Sequence, residues 1–165
     1  MEIVEWLLQS DPAIRWQVMR DLTSEPSEIV AAERSRVARE GWGGELLNLQ
    51  ESDGRWDGGT YRPGWADESK SFFDAWTATH FSLQLLVDFG VDPRSPRVQE
   101  VIRRVADSVR WPAGDGLYFE GEVEPCINGI VVVIGAYFTQ PVDGIVDRLL
   151  GDQLPDGGWN CWAAF

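Results

Sequence analysis

The chain has 165 residues, enough for one domain with a substantial core. Its 27 acidic and 14 basic residues leave a formal net charge of −13, which argues against a nucleic-acid partner and against docking on anionic membrane. Two cysteines are too few for a disulfide scaffold. No basic region followed by an apolar run opens the chain, and the apolar stretch Ile130 to Phe138 is too short to cross a bilayer, so the default expectation is a cytoplasmic protein without a membrane span.

Residues 2 to 9 place Ile3, Trp6 and Leu7 on one helical face, and Asp11-Pro12 caps and starts a second helix carrying Ile14, Trp16, Val18, Met19 and Leu22. Glu25-Pro26-Ser27 begins a third, with Ile29, Val30, Val37 and Ala38 set among mixed charges. Residues 1–41 therefore read as an N-terminal helical cap. Its Arg15, Arg20, Arg34 and Arg36 are expected in surface or interhelical ion pairs.

From Gly41-Trp42-Gly43-Gly44 the composition changes, and residues 42–165 read as a second region. Glu45 to Gln50 is a short helix. Glu51 to Lys70 is a long Gly-rich connection bearing Trp56, Tyr61 and Trp65, expected either to form a lid or to seal an outer helix against an inner one. Ser71 to Phe89 reads as a buried inner helix, on which Phe73, Trp76 and His80 stand at i, i+3 and i+7 and share a face. Gly90 stops it. Val98 to Val109 is an amphipathic outer helix. Glu124 to Phe138 contains Ile130-Val131-Val132-Val133-Ile134, which suits a buried strand or a buried helix. The alternation of outer and inner elements decides for helix, and Pro141 opens the next outer helix.

Two stretches share one grammar. Gln50-Glu51-Ser52-Asp53-Gly54-Arg55-Trp56 and Gln153-Leu154-Pro155-Asp156-Gly157-Gly158-Trp159 each end a helix in Gln and turn through Asp-Gly. Each returns a Trp six residues after the Gln. Asp closes such a turn, Gly supplies the left-handed backbone angle, and the Trp folds back onto the helix it has left. Asp115-Gly116-Leu117-Tyr118 is a weaker third copy without the Gln. Units of this kind bury their faces against neighbours.

Gln followed by Asp-Gly-x-Trp resembles the QW motif of the squalene-hopene cyclase and oxidosqualene cyclase superfamily, whose (α/α) barrels are shared with protein prenyltransferase β subunits. The resemblance covers residues 42 to 165 and implies an all-α, (α/α) toroid fold, here an incomplete ring. It implies an isoprenoid or other apolar substrate. The Asp-x-Asp-Asp and Asp-Asp-x-x-Asp runs of terpene cyclases are absent, so the catalytic set is incomplete and no catalytic residue is carried over. In the prenyltransferase branch an Asp-x-Cys at the head of an inner helix holds zinc, and Glu124-Pro125-Cys126 is similar to it with Glu in place of Asp. Zinc at Glu124 and Cys126 is the metal site the resemblance implies, its further ligand in that family being a His of a later inner helix that would lie beyond residue 165; Cys161, which follows the last clasp, is a candidate to approach the same barrel mouth, and two small buried thiols are the plainer reading. Phe73, Trp76, His80 and Trp65 are the expected lining of an apolar cavity, although core packing uses the same residue types. His80, the only histidine, suits either a ligand or acid role or a hydrogen-bonded place in the core.

Two functions follow: a cyclase- or prenyltransferase-like protein that binds or transforms an isoprenoid, or a noncatalytic helical interaction module on the same fold. After Trp159 the next helix of the repeat is missing. That predicts a truncated chain, or a short module that self-associates through its open edge.

Overall fold

The structure, a computed structural model, describes residues 2–66 and 76–160. These residues are all-α. The helices are α1 (Ile3–Leu7), α2 (Pro12–Leu22), α3 (Ser27–Arg36), α4 (Gly41–Asn48), α5 (Thr79–Phe89), α6 (Pro96–Ser108), α7 (Pro125–Tyr137) and α8 (Asp143–Gly151), with a 3-10 turn at Tyr118–Glu120. No strand forms among the described residues; only the isolated bridges Trp56 to Gly59 and Arg110 to Leu117 have sheet-like pairing. The chain divides into two compact units, Met1–Gln50 with Leu85–Val101 and Glu51–Gln84 with Ile102–Phe165.

In the first unit, one Asp11 oxygen caps α2 by accepting from Ala13 N at 2.8 Å. The other accepts from Trp42 N at 2.8 Å, so one carboxylate ties the start of α2 to the first turn of α4. Trp16 is buried and its indole Nε1 donates to the Phe89 carbonyl at 2.9 Å, which satisfies an oxygen at the end of α5. Gly90 follows with φ +70°, and a Cβ there would lie 2.1 Å from the indole ring. Glycine thus both stops the helix and admits the ring. Arg15, Arg20 and Arg36 form the expected ion pairs, and Arg34 donates to main-chain carbonyls. Arg15 Nε meets the buried Glu33 at 2.6 Å, Arg36 bridges Glu33 and Glu40, Arg20 pairs with Asp21, and Arg34 Nε donates to Gly90 O at 2.8 Å.

In the second unit the expected helix from Ser71 is corrected at its start. Residues 71–75 lie outside the described residues, and Trp76 and Thr77 are not helical, so α5 begins only at Thr79. The first amides of a helix have no partner within it. Here Thr79 N donates to Gly59 O at 3.1 Å and His80 N to Thr60 O at 2.9 Å, so the preceding loop supplies the acceptors that another helical turn would have supplied. The face that Trp76 was to share with His80 does not exist as a helical face.

The β-branched run 130–134 is helical, within α7, with Pro125 in its first turn. Its burial is one-sided. Ile127, Asn128, Val131 and Ile134 are buried, whereas Cys126 and Val133 are exposed, so this helix is not the fully enclosed inner helix that its composition suggests. Asn128 accepts from Glu122 N and donates to Glu122 O, both at 2.7 Å, which gives each polar atom of a buried amide a partner.

The two Gln-to-Trp stretches adopt the same turn 103 residues apart, counted from Gln50 to Gln153. Glu51 N donates to Arg55 O and Leu154 N to Gly158 O, at 2.8 and 2.9 Å. Gly54 N and Gly157 N close the inner turn on Glu51 O and Leu154 O at 3.0 and 2.9 Å. Asp53 and Asp156 each accept the amide two residues on at 3.0 Å, and the two glycines stand at φ +87° and +86°. The local sequence therefore dictates the clasp. The third copy differs. Its left-handed residues are Gly114 and Asp115 rather than Gly116, and Trp111 N to Gly116 O with Tyr118 N to Val109 O makes a bridge, not a clasp.

Candidate functional site

His80 sits in the first turn of α5 with no exposure to solvent. Its Nδ1 pairs with the Tyr118 hydroxyl at 3.0 Å, and its ring is walled by Tyr61, Phe81, Trp111 and Tyr118 at centroid distances of 5.3 to 6.2 Å. Trp111 stacks on Tyr118 at 5.1 Å and donates its Nε1 to the Tyr118 carbonyl at 2.9 Å. Thr60 locks the loop beneath by donating to Arg110 O at 2.5 Å. Burial pushes the His80 imidazole down to about 4 and the Tyr118 phenol upward, because each charged form would lose its hydration there. At neutral pH the pair is uncharged. Nε2 is buried without a hydrogen-bond partner among the described residues.

The expected lining residues are dispersed. Trp76 reaches the cluster through Phe81, stacked at 5.3 Å and 12°, but is half exposed. Trp65 is exposed and donates to Asp57 at 3.2 Å. Phe73 lies outside the described residues. Sequence reasoning had no reason to join His80 to Tyr118 and Trp111, which come from a different segment. The one available signal was that Tyr118 held the aromatic position of the weak clasp.

Glu124 precedes α7 and Cys126 is exposed in its first turn. Cys161 lies outside the described residues. Among the described residues no group of three His, Cys, Asp or Glu side chains is arranged to hold a metal ion, and no helix is long and apolar enough to cross a membrane.

An open groove lies beside Cys126, between α7, α8 and the second clasp. Pro125, Cys126, Gly129, Leu149, Trp159 and Asn160 line an almost wholly apolar groove of about 280 Å³. Trp159 is oriented by its Nε1, which donates to the Leu149 carbonyl of α8 at 2.7 Å. Val133, Val146, Leu150 and Leu154 are further exposed apolar side chains of α7, α8 and the second clasp. The same stretch, from Glu120 to Asn160, carries Glu120, Glu122, Glu124, Asp143, Asp147, Asp152 and Asp156 against one basic residue, Arg148. Arg148 spends its guanidinium on the Glu122 and Glu120 carbonyls. The arrangement combines an apolar groove with a segment of the chain rich in carboxylates.

Comparison with protein-family models, with curated proteins and with solved structures finds no match.

Proposed function

We propose that the chain is a noncatalytic helical interaction module, built from helix-and-clasp units, whose binding face is the groove between α7, α8 and Trp159. The observation that carries this reading is the contrast between two aromatic sites. The His80 ring is buried against Tyr61, Phe81, Trp111 and Tyr118, whereas the α7–α8 face leaves large apolar residues exposed beside a shallow groove. Small-molecule pockets run from about 300 to 1,000 Å³ and enclose most of their ligand; a groove of about 280 Å³ that stays open suits the side chains of a docking element better. A curved (α/α) ring is the larger architecture this reading assumes, supported by the recurrence of the clasp.

A second reading keeps an isoprenoid or similar apolar chain as the ligand, favoured by the nearly unbroken apolar lining and by the Trp159 indole at its edge. Zinc held by Glu124, Cys126 and Cys161 would belong to that reading. The test is a titration followed by NMR, with amphipathic helical peptides of either charge in one arm and farnesol in the other. Saturable shifts of the Gly129 amide and the Trp159 indole N–H by a peptide support the module. Shifts by farnesol with none from any peptide overturn it in favour of the apolar ligand.

A further inference from the structure

The two clasps are alike in backbone and unlike in cover, and the first clasp displays what the second lacks. Gln50 Nε2 donates to the Val101 carbonyl of α6 at 3.0 Å. Gly54 lies so close to α6 that a Cβ there would stand 2.8 Å from the Arg104 carbonyl oxygen. At the equivalent positions of the second clasp, Gln153 Nε2 turns back to its own Gly157 O at 2.9 Å, and beyond its chain neighbours no atom of the described residues lies within 4 Å of where a Gly157 Cβ would be. The clasp Trp is 2% exposed in the first copy and 45% in the second. The helix position before each clasp follows suit, with Leu47 at 4% and Leu150 at 64%.

We infer that the second clasp, with α8, seats a basic amphipathic helix of a partner protein, gripped by Gln153 and Gly157 as Gln50 and Gly54 grip α6. This rests on the interaction-module reading and specifies the partner. A helix fits because the first clasp spends its amide on a main-chain carbonyl and its glycine on close main-chain approach, and both contacts are independent of the partner's side chains. An apolar stripe on that helix would cover Leu150 and Trp159. The flanks are basic because Glu124 adjoins the groove-lining Pro125, exposed Asp152 and Asp156 stand beside and within the clasp, and Arg148 is engaged by the Glu122 and Glu120 carbonyls. A second copy of the chain, with its formal charge of −13, is disfavoured by like-charge repulsion.

The probe is a peptide of residues 96–109, the α6 sequence, cross-linked on its solvent face to hold it helical. A basic form carries Glu100→Gln and Asp107→Asn; an acidic form carries Arg97→Gln, Arg103→Gln and Arg104→Gln. The basic form is expected to shift the Trp159 indole N–H saturably and to bind at least ~10-fold more tightly than the acidic form. Gln153→Ala should weaken it roughly five-fold, the equivalent of one amide-to-carbonyl hydrogen bond. Leu150→Glu should abolish it, and Gln50→Ala should leave it unchanged. An unaltered Trp159 signal in the unbound variants establishes that the clasp is intact. Tighter binding of the acidic form would overturn the inference while leaving the module reading standing. Absence of binding by either form at millimolar concentration would overturn both. Dimerisation by sedimentation that Leu150→Glu abolishes would make a second copy the occupant and overturn the basic partner.

Discussion

Acidification should destabilise this protein through a neutral histidine, starting above the pH range in which its carboxylates titrate. His80 is depressed to about 4 in the folded chain by burial, against about 6.5 when unfolded. Above about pH 6.5 neither state binds the proton and stability is intact; between about 6.5 and 4 the unfolded chain binds it and the folded chain does not, so stability falls with pH; below 4 both bind it and the loss is complete. With 1.36 kcal/mol for each pKa unit, the full loss is about 3 kcal/mol, of which about 2 kcal/mol appears between pH 7.5 and 5. The net charge of −13 acts in the opposite direction, since protonation relieves self-repulsion. The informative quantity is therefore the difference between wild type and His80→Phe in urea unfolding at each pH. The wild-type midpoint should drop relative to the variant over that window, while the folded imidazole, followed by NMR, stays neutral down to about pH 5. An imidazole that titrates near 6.5 in the folded protein, or parallel midpoints for both proteins, would refute the burial argument. Asp53 and Asp92, held low by hydrogen bonds from Arg55 and Arg94, contribute their loss lower on the pH scale and equally in both proteins.

Trp56→Ala should cost about 3 to 5 kcal/mol, as large aromatic truncations in cores do, whereas Trp159→Ala, at a half-exposed site, should cost less than half of that; chemical denaturation of the two variants measures the gap, and equal losses would show the second clasp to be covered. Gly54→Ala and Gly157→Ala pay the same left-handed backbone strain of about 1 kcal/mol. Only Gly54 also meets the α6 backbone, at 2.8 Å, so it should be the more damaging, as thermal melts of the pair would reveal. Asp11→Ala removes both the α2 cap and the bond to Trp42 N; a loss of about 1 to 2 kcal/mol by urea titration is expected, and no change would mean that neither bond is formed in solution.

How much was legible in the sequence depends on the range of the interaction. Proline at the first position of α2, α6 and α7, the amphipathic spacing of α6 and the Asp-Gly turns of the two Gln-to-Trp stretches act over a few residues and appear where the residues put them, whereas α4 begins at Gly41 rather than Glu45 and α8 at Asp143 rather than Pro141. The start of α5 was misjudged because its first amides are satisfied by Gly59 and Thr60, acceptors that periodicity cannot register. The third clasp was misjudged for a related reason, since its turn is pinned by bonds between 109 and 118 rather than by the Asp-Gly pair.

Sequence alone determined that the chain is helical and that residues 50–56 and 153–159 fold into the same buckle, because both follow from local backbone preference and side-chain capping. Tertiary structure alone decided that one buckle is roofed by a helix while the other leaves its Trp half exposed, and that His80 belongs with Tyr118 and not beside Trp76 on a helical face. Burial is settled by which distant segment arrives, and that information is carried by no short stretch of the chain.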